Sequence, residues 1–394
     1  MSMVGSGGYE EDTVRIGFDA RALSDHFPGI GRYIHSLLLA LQPELEDATL
    51  VVLYDPQSSR ARADLAPLAV LPGVQTVPLT SELRGPLQRR ALPRLIREYG
   101  VDVFHAPYYL GAGPGLPCPL VLSLFDVIPL ACRGAMPRLL DRLAYRVAVG
   151  AALGAARRVI VPSEASRTDL ARFFRGAEQR AVVIPCAAAS QFAPAAPGAV
   201  QQVRERYGLP PRYILHVGTN KPHKNLETLL AAYAHYAGAT AAAERAGLVL
   251  AGAHSPRHLD VPAWATAHGL GEAVQALGAV PEGDLPALCS GAACVAVPSL
   301  YEGFGLPVLE AMACDTPVLC ANASSLPEVA GDAALVLEPR DAAAWADALR
   351  ALLAAPELQA SMRARGLAHA GRFSWAAAAL STLQVYREIA DSHW

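Results

Sequence analysis

Short apolar runs that alternate with helical patterns constrain the fold of this chain more than any other feature. In the first half, strand-like runs lie at Val14–Asp19, Leu50–Tyr54, Val101–His105, Leu120–Leu124, Arg158–Val161 and Val182–Pro185. Helical patterns lie at Gly31–Leu41, Arg138–Leu153 and Glu164–Phe174. The runs are continuously apolar, which is typical of parallel strands that are covered on both faces. The first half therefore predicts a doubly wound α/β domain.

The alternation stops once and then restarts. Cys186–Gly198 is rich in Ala and Pro without periodicity, so it is predicted to be a linker. Beyond it, strands are predicted at Tyr213–Val217, Leu248–Ala251, Val274–Leu277, Cys294–Val297, Pro317–Cys320 and Ala334–Leu337. Helices are predicted at Leu226–Tyr236, Leu306–Ala313, Ala342–Leu353, Glu357–Ala370 and Trp375–Ile389. Open parallel sheets bind ligands beyond the carboxyl ends of their strands. We therefore expect two tandem doubly wound, Rossmann-like domains that face a central cleft.

Composition excludes several classes of function. The net charge of −3 and the lack of a basic stripe interleaved with aromatic residues argue against a nucleic-acid partner. An apolar span of 18 residues does not occur, so no membrane-crossing segment is expected. The seven cysteines show no metal-ligand spacing, and the odd count and the lack of a signal peptide predict a cytoplasmic protein. Residues 1–13 are predicted to be a disordered lead-in.

Only two of the 394 residues are lysines, Lys221 and Lys224, and the other 31 cationic side chains are arginine. Both lysines lie in the loop after the strand Tyr213–Val217. A lysine is a compact point charge, whereas the guanidinium group of arginine is planar. The loop is therefore either a phosphate site or a turn that kept lysines by accident in an arginine-rich composition.

The segment Ser299–Ala313 carries the clearest chemical pattern. It reads Ser-Leu-Tyr-Glu-Gly-Phe-Gly-Leu-Pro-Val-Leu-Glu-Ala-Met-Ala and leads from a strand into a helix. Gly303 and Gly305 allow backbone N–H groups to approach a ligand closely, and the start of the helix favours an anion. Glu302 and Glu310 are acceptors for sugar or ribose hydroxyls. Alternatively, either glutamate alone serves as a turn cap or complements the helix dipole.

The Glu302-to-Glu310 segment, with its Gly-Phe-Gly-Leu-Pro core, resembles the signature of the retaining GT-B glycosyltransferases of family 4. The resemblance covers nearly the whole chain. It includes Tyr213–Leu226, which resembles the donor-phosphate loop, and Gly29-Ile-Gly-Arg-Tyr33, which resembles the glycine-bearing first loop. Asp102-Val-Phe-His105 resembles the family's Asp-x-x-His strand end, and Phe373-Ser-Trp375 resembles the start of the final helix, which crosses back to the N-terminal domain.

The resemblance implies roles for individual residues. Lys224 neutralises the diphosphate of a nucleotide-sugar donor, Glu310 binds the ribose, and Glu302 binds the transferred sugar. The further donor-binding candidates are Gly29, Gly31, Gly218, Thr219, Lys221, Asn225, Val280, Gly303, Phe304, Gly305 and Leu306. The catalytic candidates are Glu302, Lys224, Asp126 and His105.

Such enzymes need neither a cofactor nor a divalent metal, since lysine, backbone amides and a helix dipole stabilise the leaving diphosphate. The chain has no Asp-x-Asp motif, in agreement. The resemblance implies attack by the acceptor from the front face of the sugar, so no carboxylate nucleophile is assigned, unlike in retaining glycosidases.

The chain departs from the family pattern at two places. The common His-Asp pair reads Phe125-Asp126, so a sugar contact is lost or moved, and His105 or stacking by Phe125 are its candidate replacements. A basic residue that often precedes the loop lysine is replaced by Thr219 and His223, and Lys221 is a candidate to supply the missing charge.

The acceptor is expected in the N-terminal domain. There Arg84–Tyr99 is either a basic amphipathic helix that contacts anionic lipid at the inner membrane face or a lipid-diphosphate acceptor, or a surface helix whose apolar face packs in the core. The predicted domains are 14–190 for the acceptor and 191–370 for the donor, with 371–394 as the returning helix. The hypothesis is transfer of mannose from GDP-mannose to a glycan or lipid-linked acceptor. The alternatives are a UDP-sugar donor or a non-catalytic homologue of the same fold.

Overall fold

The computed structural model describes residues 14–23, 28–46, 48–57, 68, 70–80, 83 and 88–390. The predicted lead-in 1–13, residues 84–87 of the arginine-rich run and residues 391–394 lie outside the described residues. Contacts within the chain divide it into two compact units. Unit 1 takes in the described residues of 1–123, 148–160 and 379–394, and unit 2 takes in 124–147 and 161–378. The domain bounds predicted above stay a prediction.

Seven parallel strands form the first sheet, in the order β3-β2-β1-β4-β5-β6-β7. The strands are β1 Val14–Asp19, β2 Ala48–Tyr54, β3 Val74–Pro78, β4 Val103–Ala106, β5 Leu120–Ser123, β6 Ala156–Val161 and β7 Ala181–Val183. On β1, Phe18 pairs with Val52 of β2 and with His105 of β4, and all three residues are buried. Burial of the central strands on both faces explains their continuous apolarity.

Helices of the first half follow these strands in the doubly wound manner. They are α1 Pro28–Leu41, α2 Gln88–Glu98, α3 Ile128–Ala131, α4 Leu139–Ala155 and α5 Glu164–Phe173. Ser163 caps α5, since its side chain accepts a hydrogen bond from Ser166 N. Helix α2 buries Leu92 and Ile96, while Arg94 and Arg97 are exposed. This arrangement favours the interpretation of α2 as a surface helix whose apolar face is packed.

The second sheet has six parallel strands, in the order β10-β9-β8-β11-β12-β13. The strands are β8 Tyr213–Val217, β9 Gly247–Ala251, β10 Val274–Gly278, β11 Cys294–Val297, β12 Val318–Ala321 and β13 Leu335–Leu337. The accompanying helices are α6 Pro197–Tyr207, α7 Leu226–Gly238, α8 Val261–Ala267, α9 Leu285–Ser290, α10 Leu306–Ala313, α11 Leu326–Ala330, α12 Ala342–Ala354, α13 Pro356–Ala370 and α14 Trp375–Ala390. The prediction of two doubly wound parallel sheets is confirmed.

The sequence prediction missed five helices and one strand. The missed helices α3, α6, α8, α9 and α11 are short or weakly periodic, and each has proline in its first turn. Proline suits that position because its missing N–H has no intrahelical partner there. Helix α6 begins at Pro197, so the last two residues of the predicted linker Cys186–Gly198 lie in this helix. Strand β3 is an edge strand whose polar residues hid its pattern.

In the part of the chain that the structure describes, every helix is too short or too polar to cross a lipid bilayer.

Candidate active site

The candidate active site lies in unit 2, beyond the carboxyl ends of β8 and β11. These two strands are neighbours at the point where the strand order reverses, which is where doubly wound sheets bind ligands. The loop 218–225 follows β8 and carries Lys224, and the loop 298–305 follows β11 and carries Glu302. The topology therefore brings together the two segments that the sequence singled out.

The loop 298–305 turns directly into helix α10 through a left-handed residue. Gly305 has a φ of 108°, a conformation that residues with a Cβ rarely adopt. A Cβ at this position would also lie 2.8 Å from Leu326 Cδ2. Pro307 lies in the first turn of α10, so the helix starts at once and directs its first N–H groups toward the loop. The loop is thus joined to a helix end that favours negative charge.

Gly303 is needed because another backbone approaches it. A Cβ on residue 303 would lie 2.1 Å from the carbonyl oxygen of Phe125. The Gly303 carbonyl accepts hydrogen bonds from Ser163 Oγ at 2.7 Å and Ser166 Oγ at 3.0 Å. Ser166 Oγ also lies 3.0 Å from the Phe125 carbonyl. The Phe125-Asp126 turn and the loop 298–305 are therefore fixed against each other.

Two further serines hold the same loop from the other side. Ser325 Oγ lies 3.0 Å from the Glu302 carbonyl oxygen and 2.7 Å from that of Phe304. The Ser324 hydroxyl donates to the Glu302 carbonyl and lies 3.3 Å from Glu302 N. Hydrogen bonds to the main chain on both sides set the direction of the Glu302 side chain before any ligand arrives.

Lys224 and Glu302 form an ion pair at the centre of the site. Lys224 Nζ lies 2.6 Å from Glu302 Oε1, and Ser299 Oγ donates to the same oxygen at 2.7 Å. The two charged side chains are only 16% and 11% exposed. Burial acts to raise the pKa of Glu302, but the Lys224 ammonium and the Ser299 hydrogen bond outweigh burial and hold the pKa below its ordinary value. Glu302 is therefore ionised at neutral pH.

Asp126 is a second carboxyl group beside this pair. It is half-buried, and its Oδ1 accepts a hydrogen bond from Ile128 N at 2.9 Å. Burial raises the pKa of Asp126, the Ile128 bond lowers it, and the charge of Glu302 raises it further, so the net shift is upward despite the lysines. Two neighbouring carboxyl groups whose pKa values shift in opposite directions suit different roles.

The loop after β8 also approaches a second backbone. Gly218 N donates to the Ala251 carbonyl at 2.8 Å, and a Cβ at Gly252 would lie 2.0 Å from the Gly218 carbonyl oxygen. Thr219 follows this contact and is half-buried. Behind Gly218, His216 is buried, and its Nδ1 bonds the Ala296 carbonyl at 2.9 Å. The base of the site is therefore built from tightly packed main chain.

Asn225 supports the loop through its side chain. Its backbone is left-handed, with a φ of 56°. Its Nδ2 donates to the carbonyls of Pro298 at 3.0 Å and Pro339 at 2.5 Å, and its Oδ1 accepts from Thr228 Oγ1 at 2.8 Å. The side chain that was predicted to bind the donor thus joins three loops of the protein itself.

Glu310 and Val280, the residues predicted to lie at the ribose and at the base, are both buried in unit 2. Glu310 is on α10, one turn beyond its first residue, and is only 3% exposed. Val280 is buried in the segment that follows β10, the strand next to β9. Their assignments to ribose and base stay predictions.

The other predicted residues belong to unit 1. Gly29 and Gly31 lie in the first turn of α1 rather than in a free loop, and Gly29 has open space around its Cα. His105 is fully buried on β4, where its Nδ1 lies 2.5 Å from Tyr386 Oη and its Nε2 lies 2.8 Å from Ser123 Oγ. Burial lowers the pKa of His105 to about 3. This geometry favours a positioning role, and a catalytic role for His105 stays a prediction.

Sequence reasoning missed the residues that hold the site together. They are the hydroxyl groups of Ser163, Ser166, Ser299, Ser324 and Ser325, and the ring of His216. Ser299 was inside the quoted motif, three residues before Glu302, and that spacing was the one available signal. The others come from distant segments that only the fold brings near.

Chemically, the arrangement offers a buried cation at the end of a parallel sheet. It also offers a helix start whose amide groups face the same loop, and two carboxyl groups of different acidity. A doubly charged diphosphate can replace Glu302 as the partner of Lys224, while the carboxylates accept hydroxyl hydrogen bonds. These are the requirements for binding a nucleotide sugar in a glycosyltransferase.

Comparison with known families agrees with this class. The model described as Glycosyltransferase Family 4 matches residues 28–191. The model described as Glycosyl transferases group 1 matches residues 201–369. The first matched segment holds six of the seven strands of the first sheet, all but β1, and the second segment holds all six strands of the second sheet.

A relative over nearly the whole chain is the O-antigen chain mannosyltransferase B of Escherichia coli. It is 32% identical over 390 residues, which cover 95% of this chain and 100% of the relative. The chain belongs to the group 1, family 4 glycosyltransferases.

Solved structures show the same GT-B fold. The sucrose-phosphate synthase of Thermosynechococcus elongatus superposes with a TM-score of 0.76 at 23% identity, over 96% of this chain and 100% of that one. HepE of Anabaena, solved with UDP-glucose, superposes with a TM-score of 0.74 at 20% identity, over 95% and 99% of the two chains. The prediction of a GT-B fold is confirmed.

Proposed function

We propose that this glycosyltransferase transfers mannose, with retention of configuration, from GDP-mannose to a glycan or lipid-linked acceptor during synthesis of a surface polysaccharide. The full-length similarity to an O-antigen mannosyltransferase supports the choice of sugar and pathway class. All seven cysteines are free thiols, which supports a cytoplasmic location. The exposed arginines of α2 support a peripheral contact with anionic lipid, which is part of the proposal.

The observation that carries the proposal is the Lys224–Glu302 pair next to the start of α10. In the free protein, the ammonium group is held at 2.6 Å by a carboxylate. A diphosphate brings more negative charge and more acceptor oxygens than one carboxylate, so it competes for the same cation. Glu302 is then released to accept a hydroxyl of the transferred sugar. Donor binding thus exchanges one ion pair for another without leaving a buried charge alone.

In the proposed reaction, the acceptor oxygen forms a bond to the anomeric carbon while the bond from that carbon to the phosphate oxygen breaks. The acceptor hydroxyl proton passes to an oxygen of the departing diphosphate on the same face of the sugar. Lys224 and the first amides of α10 offset the charge that develops on this leaving group. The raised pKa of Asp126 suits a group that donates a hydrogen bond to the sugar or the acceptor.

The proposed reaction needs no divalent metal, because Lys224 and the helix end take the part that a metal takes in other transferases. The carboxyl groups of the site are already engaged with protein donors, Glu302 with Lys224 and Ser299, and Asp126 with Ile128 N. Activity is therefore expected to persist in the presence of a chelator.

A panel of nucleotide sugars tests the proposal. Purified protein is incubated with GDP-mannose, UDP-glucose or UDP-galactose, with and without EDTA, and release of the nucleoside diphosphate is measured. We expect turnover with GDP-mannose alone, unchanged by EDTA, and an α-linked product by NMR, with Lys224→Ala as the inactive control. Turnover of a UDP-sugar instead of GDP-mannose would show that the donor is that UDP-sugar. Failure to bind or turn over any of them would favour a non-catalytic homologue.

A further inference from the structure

A cavity of about 880 Å³ lies in unit 2 along the loop that carries the two lysines. It is lined by residues 131, 132, 134, 135, 220–223, 225–227 and 257–259, together with Leu300 and Arg340. Lys221 lines this cavity, whereas Lys224 and Glu302 do not. The cavity is therefore adjacent to the Lys224–Glu302 pair, since His223 and Asn225, the chain neighbours of Lys224, also line it.

The charge of the cavity wall is predominantly positive. Lys221, Arg257 and Arg340 all line it, and within the part of the chain that the structure describes Glu227 is its single acidic lining residue. The three cationic side chains are exposed, and among the described residues none of them has an ion-pair partner. A concave wall of one sign concentrates ligands of the opposite sign.

The position of Arg257 is set by a rigid loop. Asn220 Nδ2 donates to the carbonyls of Ser255 at 2.9 Å and Leu259 at 3.0 Å, and Asn220 Oδ1 accepts from Ser255 N at 2.8 Å. Asn220 is itself buried and lines the cavity. Three hydrogen bonds from one side chain thus hold the arginine loop against the lysine loop.

Helix α7 begins at the same cavity. Its N-cap residue, Asn225, gives it no side-chain cap, because the Asn225 side chain bonds other segments. Leu226 and Glu227, the first two residues of this 13-residue helix, line the cavity. The first amides of a helix carry partial positive charge and bind anions.

His223 adds an independent sign that a ligand belongs here. It lines the cavity and is only 6% exposed, and its Nδ1 has no hydrogen-bond partner in the described structure. Burial, and secondly the charge of Lys224, lower the pKa of His223 to about 4, so the ring is neutral at pH 7. A buried nitrogen without a hydrogen-bond partner is energetically costly, and a ligand oxygen would satisfy it.

We propose that this cavity binds the phosphate or diphosphate group of the acceptor, separately from the donor diphosphate at Lys224. Lys221, Arg257 and Arg340 neutralise the group, and the first amides of α7 and His223 hydrogen-bond its oxygens. The assignment to an acceptor rests on the proposed function, whereas the anion site itself rests on the cavity alone.

Calorimetric titration with inorganic pyrophosphate tests the anion site without reference to any donor. We expect the Lys224→Ala variant to keep a pyrophosphate site. The Lys221→Gln/Arg257→Gln double variant is expected to bind pyrophosphate at that site about tenfold more weakly, because two charge-assisted contacts to the anion are lost. Arg372→Gln is the matched control, because Arg372 is exposed and does not line the cavity. Thermal melting verifies that each variant is folded.

Loss of all pyrophosphate binding in Lys224→Ala, with full binding in the double variant, would overturn the proposal, because a single donor site would then account for every contact. Absence of pyrophosphate binding in the wild-type protein would overturn it as well.

A second arm distinguishes the source of the phosphate. Farnesyl diphosphate and mannose 6-phosphate are titrated into the Lys224→Ala protein. Tighter binding of the first supports a lipid-linked diphosphate, and tighter binding of the second supports a phosphorylated glycan. If neither binds more tightly than pyrophosphate, the cavity is an anion site but not an acceptor site, and that part of the proposal is overturned. None of these titrations depends on turnover, so a failure of the proposed reaction remains distinguishable.

Discussion

At the scale of single residues, the Lys224–Glu302 pair decides how the site meets its ligand. Both side chains are nearly buried, so neither charge can be left alone without a large desolvation penalty. Glu302 orients the Lys224 ammonium group, and the hydroxyl of Ser299 donates to the same carboxylate oxygen and orients Glu302 in turn. In the proposed function, Glu302 thus occupies the position beside Lys224 that the donor diphosphate takes on binding, and the pair contributes to binding rather than to stability.

Substitution of each lysine separately tests this difference. Lys224→Ala is expected to weaken nucleoside diphosphate binding about 100-fold, because a charge-assisted contact in a buried site is lost. Lys221→Ala is expected to weaken it only a few-fold, since its side chain faces the neighbouring cavity. Calorimetric titration with GDP measures both. If neither substitution changes the affinity for GDP, the presence of the two lysines in this loop is an accident of the composition.

At the scale of elements, the loop 298–305 is held by its surroundings rather than by its own sequence. Serines from two other segments bond its carbonyls, and the Phe125 turn lies against Gly303. The loop can therefore present the Glu302 side chain and the start of α10 in one fixed arrangement, as preorganised binding requires.

Gly303→Ala tests how tightly this loop is held. The new methyl group would overlap the Phe125 carbonyl, which is main chain and cannot rotate away. We expect a loss of about 1–3 kcal/mol in the free energy of unfolding and a large loss of donor binding. Gly283→Ala is the matched control, because its added Cβ meets nothing within 4 Å and its backbone needs no left-handed conformation. Wild-type melting and binding in Gly303→Ala would show that the loop can yield.

The elements also show how far the sequence could lead. The continuous apolar runs predicted the central strands, because burial on both faces leaves a strong local signal. The close approach of the Phe125 backbone to Gly303 could not be predicted from the sequence, and the predicted approach of a ligand to this glycine stays a prediction. The contacts of Ser163 and Ser325 with this loop could not be predicted, since hydrogen bonds between distant segments produce no periodic pattern in the sequence. The bonds from the Asn225 side chain to two other loops and to Thr228 of α7 could not be predicted from the sequence, and its contact with the donor stays a prediction.

At the scale of the whole molecule, the chain passes between its two units four times, after residues 123, 147, 160 and 378. Within unit 1, the last helix is fastened to the sheet by a buried chain of hydrogen bonds. Tyr386 Oη bonds His105, His105 bonds Ser123, and Ser123 Oγ lies 3.0 Å from Tyr33 Oη on α1. The segment most distant in sequence thus shares one polar network with the first helix.

This network makes the stability of unit 1 sensitive to acid. The folded pKa of His105, about 3, lies below its unfolded value, so the neutral ring stabilises the fold above the unfolded pKa. That contribution is lost as the pH falls from about 6.5, and at pH 5 the loss amounts to about 2 kcal/mol.

Urea unfolding at pH 7 and pH 5 measures the effect. We expect His105→Asn to be less stable than the wild type at pH 7 but to lose less stability on acidification. Burial also lowers the pKa values of His216 and His223, so these residues contribute to the acid sensitivity of the wild type. The effect of His105 is therefore read from the difference between variant and wild type in the stability lost from pH 7 to pH 5. His235→Asn, at an exposed position, should leave the pH dependence unchanged. An identical acid loss in His105→Asn and the wild type would contradict the assignment.

The rarity of lysine has a practical consequence for chemical labelling. An acylating reagent that attacks amines finds only two side chains in this chain, and they differ in access. The Lys221 amine is exposed, while that of Lys224 is paired and mostly covered. A fluorophore can therefore be attached at one defined side chain, at the mouth of the basic cavity, without introducing a cysteine. Its emission would then report, in real time, the arrival of an anionic ligand next to the donor site.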